Sequence, residues 1–239
     1  MLGYNARFKK LYPLLIGSWK KILDNAEKIV SPSNFLKGEI LKAYATFDSN
    51  KIEVIPNGFD TKRFTPQEKK KWIFSSGRLL QNKGFQYLIQ AVSDEDIGYE
   101  VHIAGDGPMM GELKQLAEKS KTKIIFHGWI ENKGKEYIDL LEQSDIYVLA
   151  SEKENASISL LEAMSAGCAM ITTNSSGCAE TVGNAGLLVK VNNAEDLKEK
   201  VSLLIQNENL LIDLQKKSVE RVENTYHWNV IIKEYSKFL

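Results

Sequence analysis

Short apolar runs alternate with amphipathic segments through most of the chain. This alternation predicts β-strands separated by α-helices, because a strand buried on both faces is apolar throughout, whereas a surface helix is apolar along one stripe. The strands are predicted at 72–76, 99–104, 123–127, 146–150, 169–173 and 187–190. The helices are predicted at 85–92, 108–120, 132–143, 159–166, 179–182, 194–206, 210–224 and 228–238. The order indicates an α/β fold with a doubly wound, Rossmann-like parallel sheet covered by helices on both faces.

The region before residue 60 repeats the same pattern on a smaller scale. The predicted elements are a strand within 27–33, a helix over 34–44, a strand over 51–58 and a linker over 61–71. Ser33 has the position of a helix N-cap, Pro56 and an Asn-Gly turn close the second strand, and Pro66 interrupts the polar linker. This region is too short to be a domain, so we interpret it as the remnant of one and place a domain boundary in the linker.

Composition narrows the classes of function. The chain has 239 residues, of which 43% are hydrophobic and 26% charged, as in an ordinary soluble globular protein. Lys plus Arg equals Asp plus Glu at 31 each, so net charge gives no reason to expect nucleic acid as a partner. Cys168 and Cys178 have neither a metal-ligand spacing nor a disulfide pattern, and no apolar run approaches the roughly 18 residues that span a bilayer. These features predict a cytoplasmic protein.

The segment 1–21 is basic, with apolar and aromatic residues between the cations, and the first acidic residue is Asp24. A basic amphipathic segment can lie on an anionic membrane, so peripheral contact with the inner membrane surface is one interpretation. Pro13 would interrupt a continuous helix, which favours the alternative, a segment docked on a partner or on the chain's own domain.

Two cations follow the first strand of the large domain, in Gly77-Arg-Leu-Leu-Gln-Asn-Lys-Gly84. Lys83 falls at or near a helix N-terminus, where the helix dipole disfavours a cation by roughly 0.3–1 kcal/mol. Arg78 can bind two phosphate oxygens through its planar guanidinium. Both lie at the carboxyl edge of the predicted sheet, where doubly wound folds bind ligands, so the sequence favours an anion site over two solvated surface cations.

A glycine-rich turn, Gly105-Asp-Gly-Pro-Met-Met-Gly111, follows the next strand. Its spacing is G-x-G-x-x-x-G, whereas the dinucleotide-binding turn is G-x-G-x-x-G, and Pro108 occupies the expected helix start. Glu131 follows the next strand, so an NAD-dependent oxidoreductase stays as an alternative. We interpret Gly105 and Gly107 as a tight strand-to-helix turn that faces the same crevice.

Glu154 and Glu162 flank a small polar segment after the fourth strand of the large domain. Ser151 and Ser159 each precede one of them by three positions, so both glutamates could belong to capping boxes. Two overlapping boxes cannot begin one helix, and two helical residues at this spacing would stand about 12 Å apart along the axis. That exceeds the roughly 5–9.5 Å between the carboxylates of a glycosidase and suits hydroxyls at the two ends of an extended ligand such as a nucleotide sugar.

Other polar groups give weaker signals. The turn 173–180 is built of small residues, which either leave room for a ligand or form an ordinary strand-to-helix loop. His102 and His127 are predicted in or beside strands without a ligand at metal spacing, and Asp94-Glu-Asp96 falls at the opposite edge of the sheet. We therefore expect no metal site.

Together these segments resemble the nucleotide-sugar-binding half of the family-4 (group 1) retaining glycosyltransferases, which contain two Rossmann-like domains in the GT-B architecture. The resemblance begins near residue 22. It rests on Ile55-Pro-Asn-Gly-Phe-Asp60 with Phe64-Thr-Pro66, Gly77-Arg78 with Lys83-Gly84, Gly105-Asp-Gly-Pro108, Phe126-His-Gly128, Glu154 to Glu162 with Leu161-Glu-Ala-Met164 and Gly167, Glu180, and Gly186-Leu-Leu-Val189. The ordered combination of these segments is specific, whereas no single segment is.

The resemblance implies a role for each candidate residue. Arg78 and Lys83 would neutralise the departing nucleoside diphosphate, and Glu162 would hold the ribose hydroxyls. Glu154, the catalytic residue, would hold the donor sugar near its anomeric carbon. Backbone N–H groups of Ala156, Ser157, Ile158 and Ser159 would face the phosphates. Gly105 and Gly107 would lie at the same crevice. Charge stabilisation of this kind requires no metal or other cofactor.

The resemblance also implies how the chain is divided. Residues 1–60 would be the remnant of an N-terminal acceptor domain with the linker, 61–226 the donor-binding domain, and 227–239 a C-terminal helix that crosses back. The implied activity is retaining transfer of a hexose from a nucleoside-diphosphate sugar to a polysaccharide, glycolipid or similar acceptor, once the missing domain is present. Either a second polypeptide supplies that domain, or this chain is a truncation of a longer one. Asn155-Ala-Ser157 departs from the Gly-Phe-Gly usual in the family, which leaves the donor sugar open. A non-catalytic nucleotide-binding or assembly subunit is the alternative.

Overall fold

The computed structural model describes residues 21–238, so the predicted membrane-binding segment lies almost wholly outside the described residues. The N-terminal part contains β1 (Ile29–Ser31), α1 (Asn34–Ala43) and β2 (Ile52–Val54), and the two strands pair in parallel. Ser33 is the N-cap of α1, as predicted, and its hydroxyl accepts a hydrogen bond from the backbone N–H of Leu36 at 3.1 Å. This small unit has the strand–helix–strand order that the sequence predicted.

The large sheet has the predicted strands in nearly the predicted places. They are β3 (Lys70–Ser76), β4 (Glu100–Ala104), β5 (Ile124–Gly128), β6 (Ser144–Leu149), β7 (Ala169–Thr173) and β8 (Gly186–Val189). All neighbours are parallel, in the order β5-β4-β3-β6-β7-β8. The strand order reverses between β3 and β6, so the crevice beyond their carboxyl ends is where a doubly wound sheet binds a ligand. The predicted fold class is confirmed.

Helices cover both faces of this sheet. They are α2 (Phe85–Ser93), α3 (Met110–Ala117), α4 (Lys135–Gln143), α5 (Ile158–Ser165), α6 (Ser176–Val182), α7 (Ala194–Gln206), α8 (Glu208–Arg221) and α9 (Trp228–Tyr235). Adjacent residues such as Ile73 and Phe74 point to opposite apolar layers and are both fully buried. This two-sided burial explains why the strands are apolar throughout.

Several predicted helix ends were displaced. The helix predicted from residue 210 begins at Glu208, because the side chain of Asn207 accepts from the backbone N–H of Leu210 and caps the helix. It ends at Arg221, where a single π-helical turn, Val222–Tyr226, follows. Capping residues and turns determine where these helices begin and end, and the apolar periodicity of the sequence does not reveal them.

The predicted linker is docked on the large domain. Thr61–Arg63 forms a 3₁₀ turn, and the carbonyl oxygen of Thr61 accepts from Ser165 Oγ on α5 at 3.0 Å. Lys69 donates to the carbonyl oxygen of Ala166 at 2.7 Å, and strand β3 already begins at Lys70. The interpretation of 61–71 as a polar linker was therefore wrong in part, since some of its polar groups bond to the large domain and its last two residues belong to a strand.

The N-terminal part contacts the large domain through α1 and through Phe59. The Glu180 carboxylate on α6 accepts from the backbone N–H groups of Asn34 (2.9 Å) and Phe35 (3.3 Å) at the positive end of α1. At the other end, the backbone N–H of Phe59 donates to the carbonyl oxygen of Tyr226 at 2.8 Å. The segment before α9 thus returns to the N-terminal part, whereas the domain limits stay a prediction.

His102 and His127 lie in neighbouring strands, and neither lines the cavity described below. His102 Nδ1 and His127 Nε2 are 2.9 Å apart, and the Trp72 ring lies 4.4 Å from that of His102. Burial, together with the adjacent His127, lowers the pKa of His102 to about 4. These side chains form a packed polar pair within the sheet.

The depressed pKa of His102 predicts how stability depends on pH. The unfolded chain carries an ordinary histidine with a pKa of about 6.5, so it binds more protons than the folded chain between about pH 4 and 6.5. We expect the free energy of unfolding to fall with acidification through this window, by up to about 1.4 kcal/mol per pH unit. Equilibrium denaturation across this range should show a shallower slope for His102→Gln, and an unchanged slope would contradict the assignment.

Candidate functional site

A cavity of about 500 Å³ opens at the carboxyl edge of the sheet, between the loops that follow β3 and β6. It is lined by Ser76, Gly77, Arg78, Lys83, Ala104, Gly105, Asp106, Trp129, Ile130, Asn132, Tyr137, Leu149, Glu154, Ser157, Ile158, Ser159 and Glu162. The structure thus brings the predicted site residues together, except that Ala156 and Gly107 do not line this cavity. Ala156 lines a smaller neighbouring cleft instead.

The loop after β3 places Arg78 and Lys83 in the cavity wall. Arg78 is exposed and forms no ion pair with any described residue. Lys83 ends a 3₁₀ turn, and Gly84 follows with a φ of +76°. A Cβ atom on Gly84 would stand 2.0 Å from the carbonyl oxygen of Ala150, so only glycine lets the two loops approach this closely.

Lys83 is paired with Glu154. The Lys83 ammonium donates to Glu154 Oε1, and the two side chains are 24% and 17% exposed. The sequence shows two cations in this loop, and it gives no sign that one of them is paired with a carboxylate. The cavity therefore presents a single uncompensated cation, Arg78, and a second cation whose charge Glu154 balances.

The turn 173–180 holds the backbone that carries Glu154. The backbone N–H of Glu154 donates to Ser176 Oγ at 2.9 Å, and its carbonyl oxygen accepts from the backbone N–H of Gly177 at 2.8 Å. A Cβ atom on Gly177 would stand 1.8 Å from the carbonyl oxygen of Asn155. The small residues of this turn make room for the backbone of the Glu154 segment. Neither interpretation left open from the sequence, room for a ligand or an ordinary loop, included this role.

Neither capping box forms. Helix α5 begins at Ile158, with Ser157 as an N-cap that makes no side-chain capping bond. The hydroxyl of Ser151 donates instead to the carbonyl oxygen of Asn82 at 3.2 Å. Glu154 therefore precedes the helix and only Glu162 is helical, so the separation of about 12 Å expected for two helical residues does not apply.

Glu162 is buried, with 3% of the residue exposed, and both of its carboxylate oxygens have partners. Arg63 Nη1 donates to Oε1 and the Tyr137 hydroxyl donates to Oε2, each at 2.7 Å. Burial, with Tyr147 and Glu162 nearby, raises the pKa of Tyr137 far above its usual value, so the phenol stays protonated. Neither partner was predicted from the sequence, because neither Arg63 nor Tyr137 belongs to a recognised motif.

Two general features concern residues 21–238 as a whole. No three His, Cys, Asp or Glu side chains in this range come together in a way that could hold a metal ion. No helix in the same range has the length and apolar character needed to cross a membrane.

The family model for glycosyl transferases group 1 matches residues 58–225. The uncharacterized glycosyltransferase MJ1069 of Methanocaldococcus jannaschii is 29% identical over 252 aligned residues, which cover 98% of this chain and 63% of that protein. The N,N'-diacetylbacillosaminyl-diphospho-undecaprenol alpha-1,3-N-acetylgalactosaminyltransferase of Campylobacter jejuni is 39% identical over 102 residues, which cover 42% of this chain and 27% of the enzyme.

Solved structures show the same fold. Anabaena Alr3699/HepE in complex with UDP superposes with a TM-score of 0.79 at 17% identity, over 89% of this chain and 63% of that one. Sucrose-phosphate synthase of Thermosynechococcus elongatus has a TM-score of 0.79 at 21% identity, over 95% and 61%. The chain thus spans about six tenths of the length of such relatives. Because the family model covers most of the chain and agrees with the motifs and the fold, this protein belongs to the group 1 glycosyltransferases.

Proposed function

We propose that the cavity binds a nucleoside-diphosphate sugar. The observation that carries this proposal is the convergence of two cations, Arg78 and Lys83, and two carboxylates, Glu154 and Glu162, on one cavity at the switch point of the sheet. Cations suit a diphosphate, and carboxylates accept hydrogen bonds from sugar hydroxyls. The complex of Anabaena Alr3699/HepE with UDP-glucose supports the same ligand class for this fold.

We propose that this chain is the donor half of an enzyme that transfers a hexose with retention to a polysaccharide, glycolipid or similar acceptor. Arg78 and Lys83 stabilise the charge on the departing diphosphate, which makes it a better leaving group without a metal ion. Glu154 contacts the donor sugar, Glu162 holds the ribose, and backbone N–H groups at the start of α5 face the phosphates. An NAD-dependent oxidoreductase catalyses a different reaction, and membership in this family argues against it.

We propose that a second polypeptide supplies the acceptor side of this enzyme. The small β1–α1–β2 unit packs against the large domain through Glu180, and a second polypeptide would complete it as an acceptor domain. The buried free thiols of Cys168 and Cys178 are consistent with the cytoplasmic location that we propose.

Calorimetric titration with UDP, GDP and ADP tests the donor site. We expect at least one of them to bind, and we expect Arg78→Ala to weaken its binding about tenfold because one charge-assisted contact to phosphate is lost. Lys119→Ala is the matched control, since it removes an exposed cation beyond the far end of α3 and should leave the affinity unchanged. Absence of binding at millimolar concentration for all three nucleotides would refute the proposal.

A further inference from the structure

Arg63 connects the linker to the cavity, although no sequence motif singled it out. Its Nη1 donates to Glu162 Oε1 at 2.7 Å, and its Nη2 donates to the carbonyl oxygen of Asn132. Asn132 lies in the loop between β5 and α4 and lines the cavity together with Glu162. One guanidinium therefore joins two parts of the cavity wall, helix α5 and the loop opposite it.

Arg63 is also anchored on its own side. It ends the turn Thr61–Arg63, and Ser165 of α5 donates to the carbonyl oxygen of Thr61 at 3.0 Å. The guanidinium carbon lies 4.9 Å from the centre of the Phe64 ring, and Phe64 is itself buried. The guanidinium is therefore placed by the linker before any ligand arrives, so it does not have to be ordered when a ligand binds.

We infer that Arg63 is a positioning residue that sets the Glu162 carboxylate to accept both hydroxyls of a ribose, an inference that rests on the proposed nucleotide site. The Glu162 side chain is only 4% exposed, and a polar group so buried requires hydrogen-bond partners that also hold it in one orientation. Arg63 engages one oxygen and Tyr137 the other, which fixes the plane of the carboxylate. Each oxygen keeps a further lone pair for a hydroxyl donor.

Through Glu162, Arg63 therefore affects how strongly the site binds the 2′ and 3′ hydroxyls of the ribose. A site built to accept a hydroxyl discriminates strongly against an analogue that lacks it, because a polar group is then left unpaired. If Arg63 only stabilised the fold, its removal would weaken all nucleotides equally or lower the unfolding temperature without changing their ratio. The preference for ribose over deoxyribose is therefore the readout that separates the two roles.

The experiment compares UDP, GDP and ADP with their 2′-deoxy counterparts, using the chain as it stands. For the nucleotide that binds, we expect a preference for the ribose form of about tenfold or more in the native chain. Arg63→Met should reduce this preference to less than about threefold, while affinity for the 2′-deoxy form changes by less than about twofold, since the phosphate contacts remain. Arg63→Lys keeps the positive charge but lacks the planar guanidinium that donates to two acceptors at once, so it should give an intermediate preference.

Lys62→Met is the matched control, because it removes an adjacent cation of the same turn that is exposed, and it should keep the native preference. Thermal unfolding shows whether each variant is folded, and Arg63→Lys carries the test if Arg63→Met is not. A native chain that binds none of the nucleotides refutes the proposed function itself. A native chain with a clear preference for ribose that Arg63→Met retains in full refutes the inference about Arg63 and leaves the donor site standing.

Discussion

Gly105→Ala is expected to destabilise the chain by about 3 kcal/mol or more. Gly105 has a φ of +139°, which alanine rarely adopts, and a Cβ atom there would stand 1.8 Å from the carbonyl oxygen of Gly77. The backbone cannot yield easily, because the N–H of Gly105 donates to the carbonyl oxygen of Gly128 at 2.7 Å, and that of Gly77 donates to the carbonyl oxygen of Ala104 at 3.0 Å. Equilibrium denaturation in guanidinium chloride measures the loss.

The same motif contains its own control. Gly111 lies in α3, no atom apart from its chain neighbours and the backbone of its own helix lies within 4 Å of a Cβ built on it, and no positive φ constrains it. Gly111→Ala should therefore stabilise the chain by about 0.4–1 kcal/mol, because alanine restricts the unfolded state and favours a helix. Equal effects of the two substitutions would show that the glycines are not needed for close backbone approach.

This contrast explains what the glycine-rich turn does. Gly105 and Gly107 bring the turn after β4 against the loop that carries Arg78, since a Cβ atom on Gly107 would stand 2.5 Å from the carbonyl oxygen of Leu79. The spacing in the sequence resembled a dinucleotide-binding turn, but the close contacts of these two glycines are with the chain's own backbone. Gly105 lines the cavity, whereas Gly107 acts through packing.

The parallel sheet was predictable because burial on both faces makes each strand apolar throughout, and a single sequence shows that pattern. Ile73 and Phe74 are adjacent and fully buried on opposite faces, so a strand in this position has to be apolar throughout. Loops at the carboxyl edge were likewise predictable, because each follows a recognisable strand. The sequence could therefore place Arg78 and Glu154 at one edge without any knowledge of their contacts.

The pairings across that edge were not predictable, because they join distant parts of the chain. Lys83 and Glu154 are 71 positions apart, and Arg63 and Glu162 are 99 positions apart. No local period or motif relates such partners, and only the register of the strands and the docking of the linker bring them together. Arg63 falls in a segment that the sequence predicts to be a polar linker, because its sequence neighbours are mostly polar. That property does not distinguish an exposed cation from one that pairs with a buried carboxylate.

The Lys83–Glu154 ion pair affects how strongly the cavity binds a diphosphate. A diphosphate that engages Lys83 has to share the ammonium with Glu154 or displace it, and the carboxylate also repels the incoming negative charge. A donor sugar that bonds to Glu154 compensates for this repulsion. The pair therefore predicts that the bare nucleotide and the intact nucleotide sugar respond differently when Glu154 loses its charge.

Glu154→Gln and Lys83→Met are expected to change nucleotide affinity in opposite directions. UDP and UDP-glucose stand here for the nucleoside diphosphate that the native chain binds and for its sugar conjugate. Glu154→Gln should raise the affinity for UDP about fivefold, because Lys83 is released and roughly 1 kcal/mol of repulsion disappears. It should lower the affinity for UDP-glucose relative to UDP about tenfold or more, because a charged acceptor for the sugar is lost. Lys83→Met should weaken both ligands by about 30-fold or more, since it removes a partly buried charge-assisted donor. Calorimetry at one fixed ionic strength compares the four affinities.

Glu152→Gln provides the matched control. Glu152 lies two residues before Glu154 and carries the same charge, but its side chain does not line the cavity. It should leave the affinities for UDP and UDP-glucose and their ratio unchanged. If Glu154→Gln instead weakened UDP as strongly as Lys83→Met does, the carboxylate would be holding Lys83 in place for the phosphate instead of competing with it. The sign of the Glu154→Gln effect on UDP therefore decides between a carboxylate that positions the cation and one that must release it before the donor can bind.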